Sequence, residues 1–143
     1  MPEAVEQELL LIEEAIQMLV GSRVYWDDGH KFCKDGLLGV YIPSYDSMIN
    51  CVANHNGDYV ELLMTAKHEG WHAVQVKCNN NRAALRDDQI RPHLMGSVKD
   101  TLRHSYHPSD HRAEAEARVV EQIPTTNWIR GVRAYCGHKS KSD

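Results

Sequence analysis

The segment His68-Glu69-Gly70-Trp71-His72 constrains this chain more than any other feature. Residues four apart on an α-helix differ by about 40° around its axis, so His68 and His72 present two imidazoles from one face, one turn apart. Imidazole nitrogens so placed are good ligands for zinc at neutral pH. Glu69, beside the first histidine, can reach a water held next to such a metal and take its proton. The arrangement works only on a helix, and the flanking sequence supplies one. Asp58 to Lys77 reads as a helix of about 18 residues, opened by Asn56-Gly57-Asp58 and interrupted by a single glycine, Gly70.

Catalytic zinc usually keeps three protein ligands and one open position, so a third ligand is expected. The extended pattern with a glycine and a third histidine fails, because Gln75 and Cys78 occupy those places. The stretch Asp110 to Ile123, stopped by Pro124, reads as a second helix. At about 100° per residue, Ala113, Glu116, Ala117, Val120 and Ile123 form one stripe, while His111, Glu114, Arg118 and Glu121 share the opposite side. A carboxylate inside an apolar face is costly unless a cation receives it, which makes Glu116 the expected third ligand. Small Ala113 and Ala117 beside it would permit a close helix approach. Glu114, His93, His104, His107, His111 and Cys78 remain as alternatives.

With those residues in place, the chain resembles compact zincin metallopeptidases of the gluzincin type, in which a glutamate from a later helix completes the site. Glu114-Ala115-Glu116-Ala117 is similar to the Glu-x-Glu-Ala segment of ImmA/IrrE-like metallopeptidases. The resemblance covers about Gly39 to Pro124. It implies a zinc-dependent peptidase with His68, His72 and Glu116 on the metal, Glu69 as general base and a peptide or protein as substrate. The family's Leu-rich continuation after the glutamate is shortened here. Peptide deformylases also use His-Glu-x-x-His, but the Cys-Leu-Ser context is absent at Cys51. SprT-like proteases add a four-cysteine ribbon that these scattered cysteines cannot form. The non-enzymatic alternative is a binding or regulatory module that keeps the zinc for stability.

The rest of the chain suits a single α+β domain over residues 1–143, zincin-like in layout. Val5, Leu9, Ile12, Ile16, Leu19 and Val20 recur at helical spacing from Pro2 to Val20, with Gly21 at the end. Short strands are expected at Val24–Trp26, Leu37–Ile42 and Ser47–Val52, separated by turns at Asp27–His30 and Lys34–Gly36. They would make a small, mostly antiparallel sheet packed on the N-terminal helix, the zinc helix and the glutamate helix, with either of the last two strands lining a peptide cleft. Gln89–His104 reads as helical, and Thr125–Tyr135 as a last helix with Trp128, Ile129 and Val132 inward. Tyr106, or a histidine near it, is a candidate to stabilise an oxyanion.

A formal charge of −4 and a pI of about 6.1 offer no field for nucleic acid or an anionic membrane. No apolar run approaches a membrane span. The acidic N-terminus carries no secretory signal pattern, and Cys33, Cys51, Cys78 and Cys136 lack Cys-x-x-Cys spacing. Reduced thiols in a cytoplasmic protein are therefore the expectation.

Overall fold

The computed structural model describes residues 1–26, 31–85 and 111–141, with side chains through Gly137. The order is α1 (Glu3–Ala15), continued by a π turn (Ile16–Val20), then β1 (Arg23–Tyr25), β2 (Gly39–Ile42) and β3 (Ser47–Asn50). These are followed by α2 (Tyr59–Cys78), α3 (His111–Val120) and α4 (Thr125–Lys141). This is the expected α+β class, and the helices at either end and around the motif fall where the periodicity puts them. Gln89–His104 lies outside the described residues, as do the Asp27–His30 turn, His93, Tyr106 and His107.

The sheet has the order β1-β3-β2. β2 pairs with β3 antiparallel, as expected, whereas β1 pairs with β3 parallel. Side-chain alternation divides the two faces. Tyr41 and Met48 point into the main core with Leu62 and Ala66 of α2, while Ile49 packs with Cys33, Cys51, Phe32, Val40 and Ile42 in a smaller cluster. β3 is the central strand, so β2 alone of the two expected candidates has an open edge among the described residues.

Helix α2 is the axis of the fold. The carboxylate of Asp58 caps its start by accepting from the Glu61 amide at 3.0 Å. Residues on nearly every side are buried, including Leu62, Ala66, Trp71, Ala73 and Val74, as expected of a helix surrounded by protein. Gly70 makes this possible. A Cβ there would lie 3.0 Å from both Ile16 Cδ1 and Trp128 Cζ2, so glycine lets α1 and α4 close on α2. Ile12, Ile16, Trp128 and Val132 are fully or almost fully buried around it.

The expectation of reduced thiols is overturned. Cys33 bonds Cys51 and Cys78 bonds Cys136, leaving no free cysteine. Sequence spacing could not show this, because pairing depends on distance in the fold: the Cα atoms lie 5.4 and 5.3 Å apart. One bridge closes the loop that contains β2, and the other ties the end of α2 to α4. None of the described helices is long and apolar enough to cross a membrane.

Loop-closure entropy assigns about 3 kcal/mol to the 18-residue separation and about 4 kcal/mol to the 58-residue one. The non-reduced protein is therefore expected to weigh about 4 Da less than its fully reduced form by mass spectrometry, one hydrogen lost per sulfur. Cys78→Ser with Cys136→Ser should lower stability in urea by about 2–5 kcal/mol. Four reactive thiols in the untreated protein would contradict the pairing.

Candidate metal centre

Helix α2 delivers His68, Glu69 and His72 to one place, with ligand-capable atoms all within 4.8 Å of one another. The two imidazoles meet edge to face, ring centres 4.9 Å apart. Their Nε2 atoms converge on one carboxylate of α3, which is Glu114. Its Oε1 lies 2.8 Å from His68 and its Oε2 lies 3.0 Å from His72. Glu114, the alternative in the sequence reading, thus stands where the third ligand was sought.

Glu116, the expected third ligand, is not brought to the histidine pair. Its side chain is fully buried, but its charge is met by N–H donors. Trp71 Nε1 donates to Oε1 at 2.5 Å, Gln75 Nε2 at 3.0 Å, and the Leu85 amide to Oε2 at 2.5 Å. A carboxylate can be stabilised in the interior by two or three such bonds as well as by a cation. The apolar stripe located its burial correctly and misread what compensates it.

The outer ring nitrogens carry the argument about a metal. Gln75 gives its Nε2 hydrogens to two acceptors, the Ala113 carbonyl at 2.9 Å and Glu116. Its Oε1 therefore faces His72 Nδ1, 2.9 Å away, and Nδ1 must be the donor. His68 Nδ1 faces Glu121 Oε1 at 3.3 Å. Each ring thus has an acceptor on both sides. Without a cation these acceptors favour protonated rings; with His68, His72 and Glu114 holding a dication, both imidazoles would be neutral with Nδ1–H fixed from outside, the usual arrangement around bound zinc. Two protons and one Zn²⁺ carry the same charge. Two imidazoles and a carboxylate are a donor set that suits zinc, and His68, His72 and Glu114 are the residues that would hold it.

The charges behave accordingly. Burial works to lower the His68 pKa, but Glu114, Glu121 and Glu69 outweigh it and raise the value to about 10. The same opposition, again won by the acids, raises His72. Burial works to raise Glu114, yet its bonds from both histidines hold it well below the ordinary carboxylate range. Glu69 is raised, chiefly by burial and despite both neighbouring histidines and a backbone hydrogen bond from Tyr41. A buried carboxylate whose hold on a proton is strengthened in this way suits proton transfer.

The segment Gly36–Gly39, which leads into β2, forms one wall. With Glu69, Glu114, Arg118 and Glu121 it encloses a cleft of about 350 Å³ that His68 also lines. A Cβ on Gly39 would come within 2.7 Å of Thr65 Cγ2 and 3.3 Å of Glu69 Cγ, so only glycine brings the strand this close to α2. Thr65 is held by buried His55. His55 Nδ1 faces the Cys51 carbonyl at 2.9 Å, so its Nε2 accepts from the Thr65 hydroxyl at 2.8 Å. His111 opens α3 and is not among the residues brought to the His68–His72 pair. Cys78 is committed to its disulfide. His104 lies outside the described residues.

Gln75 and Glu121 are the site residues that sequence reasoning misses. Gln75 stands one turn after His72 and Glu121 two turns after Glu114, so helical spacing could have placed both beside their partners. No family model, no curated protein and no solved structure matches this chain.

Two measurements test this geometry. Glu114→Ala should abolish tight zinc binding while leaving the protein folded. Glu116→Ala should instead cost about 2–4 kcal/mol of stability by stranding three buried donors. Larger zinc loss from Glu116→Ala in protein that remains folded would restore the original assignment.

Zinc uptake at pH 7 should release about two protons, read by calorimetry in buffers of different ionisation enthalpy. In metal-free protein the raised histidines bind more protons folded than unfolded. Their contribution to stability is therefore complete below about pH 6.5, the ordinary imidazole value, and is lost as pH rises through about 10, the folded value for His68. Stability that rises across this window would refute the assignment of protons.

Proposed function

We propose that this chain is a zinc-dependent metallopeptidase that uses His68, His72 and Glu114 to hold the metal and Glu69 as general base. The observation that carries the reading is the convergence of both Nε2 atoms on Glu114, with an acceptor behind each ring. When bound, zinc would supply Lewis acidity, drawing the pKa of water toward neutrality and polarising a carbonyl.

The chain's own residues do the rest. Glu69 Oε accepts a proton from water as the water attacks the carbonyl carbon, then passes it to the departing amine nitrogen. Gln75 and Glu121 hold the imidazoles in the ligating tautomer and keep the rings from turning. β2 lies at the sheet edge beside Glu69, where an extended peptide could add as a strand by taking over the Tyr41 amide now bonded to Glu69. Leu38 contributes an apolar surface to the same cleft. Two closed disulfides favour an oxidising compartment over the reducing cytoplasm expected from sequence.

Glu69→Gln preserves size and should keep both fold and zinc, while lowering hydrolysis of a mixed peptide library by about 10²–10⁴-fold, read by mass spectrometry. Equal cleavage by both proteins would remove Glu69 from its role. No cleavage by zinc-loaded wild type would favour the alternative, a zinc-stabilised binding module.

A further inference from the structure

Arg118 stands one turn beyond Glu114 on α3 and is the one arginine or lysine lining the cleft among the described residues. Its Nε is 3.8 Å from Glu114 Oε1, past hydrogen-bonding range. That Nε is shielded from water and has no hydrogen-bond partner among the described residues, while the side chain as a whole stays 34% exposed. A solvated i,i+4 ion pair is the plain alternative and would contribute a few tenths of a kcal/mol. Glu114 is poorly placed for it, since both its oxygens are already taken by the histidines at 2.8 and 3.0 Å. Glu121, the next acid in the cleft, lies against His68. Glu69 carries the proton transfer. Arg118 thus lines the cleft as its one cation among the described residues, and the 34% of its side chain that stays exposed leaves the end of the guanidinium to meet a ligand.

Guanidinium is a planar fork that recognises carboxylate through two parallel N–H bonds. Building on the peptidase reading, we propose that Arg118 receives a carboxylate of the peptide, so that the site selects substrates with a free carboxylate next to the scissile bond. Position supports this: Arg118 stands one turn from Glu114 and lines the same cleft as Glu69, so a carboxylate near the reacting carbonyl is the one it would meet. It could be the peptide's own C-terminus or the side chain of an acidic residue; the chemistry at Arg118 is the same.

The test uses zinc-saturated Glu69→Gln protein, which binds without turnover, and four short peptides differing only in a free or amidated C-terminus and an acidic or neutral last side chain. Affinity is measured by calorimetry. The neutral amidated peptide is expected to bind at least tenfold more weakly than those bearing a carboxylate. Adding Arg118→Gln should erase the difference, and Arg118→Lys should retain part of it. Preference for the free C-terminus assigns the site to terminal carboxylates, and preference for the acidic side chain assigns it to internal acids; either supports the proposal. Equal affinities for all four peptides, no binding of any, or a preference that survives Arg118→Gln at saturating zinc overturns it. The peptidase reading fails separately: carboxylate-selective binding without cleavage by wild type would leave the Arg118 site standing and remove the activity.

Discussion

The buried carboxylate of Glu116 fixes how the two helices of the site meet. An interior charge of this kind is tolerated only when donors surround it, and here two of the three come from α2, through Trp71 and Gln75. Sliding α3 along α2 by one residue would break those bonds and leave both partners unsatisfied. The register so imposed puts Glu114 against His68 and His72. Gln75 then couples the two levels, since the amide that donates to Glu116 turns its oxygen to His72. Buried Ala115 and Ala117 allow the close approach that this geometry needs.

That coupling explains what sequence could and could not show. The periodicity of α1, the Asp58 cap and the apolar positions of α4 are local signals, and the structure reproduces them at Leu9, Ile12, Asp58, Trp128 and Val132. The His68–His72 pair is legible for the same reason, since helical spacing alone makes its face. The candidate third ligand is not local. A helical wheel gives α3 one inward side, yet Glu114 and Glu116, about 200° apart, both reach α2. Long side chains on either flank of a contact line can grip the same partner from opposite sides. Apolar periodicity records neither grip, because one is made to histidines and the other to N–H donors. The disulfides were hidden similarly, being set by through-space distance across 18 and 58 residues of chain.

The cleft wall shows how a small domain gives a site rigidity. β2 is only four residues long, lies at the edge of the sheet and has glycine at its first position. Left to itself such a strand would be weakly held. Its register with β3, the Cys33–Cys51 bridge and the Asn54 amide act together. Asn54 Nδ2 donates to the carbonyls of Cys33 and Leu37 at 2.8 and 2.7 Å, pinning the segment that leads into the strand. Gly39 then seats β2 on α2 beside Glu69.

An open strand edge invites indiscriminate pairing, which short length and adjacent charge restrain. β2 has both restraints, with three acids and Arg118 lining the cleft beside it. Backbone pairing to an edge is largely blind to sequence, since every peptide offers the same N–H and C=O groups. Selection must then come from side chains that face the bound strand, and Arg118 is the one cation lining the cleft among the described residues. The division of labour follows from chemistry: the edge would hold the peptide in extended form, and the guanidinium would decide where along the peptide Glu69 meets a carbonyl.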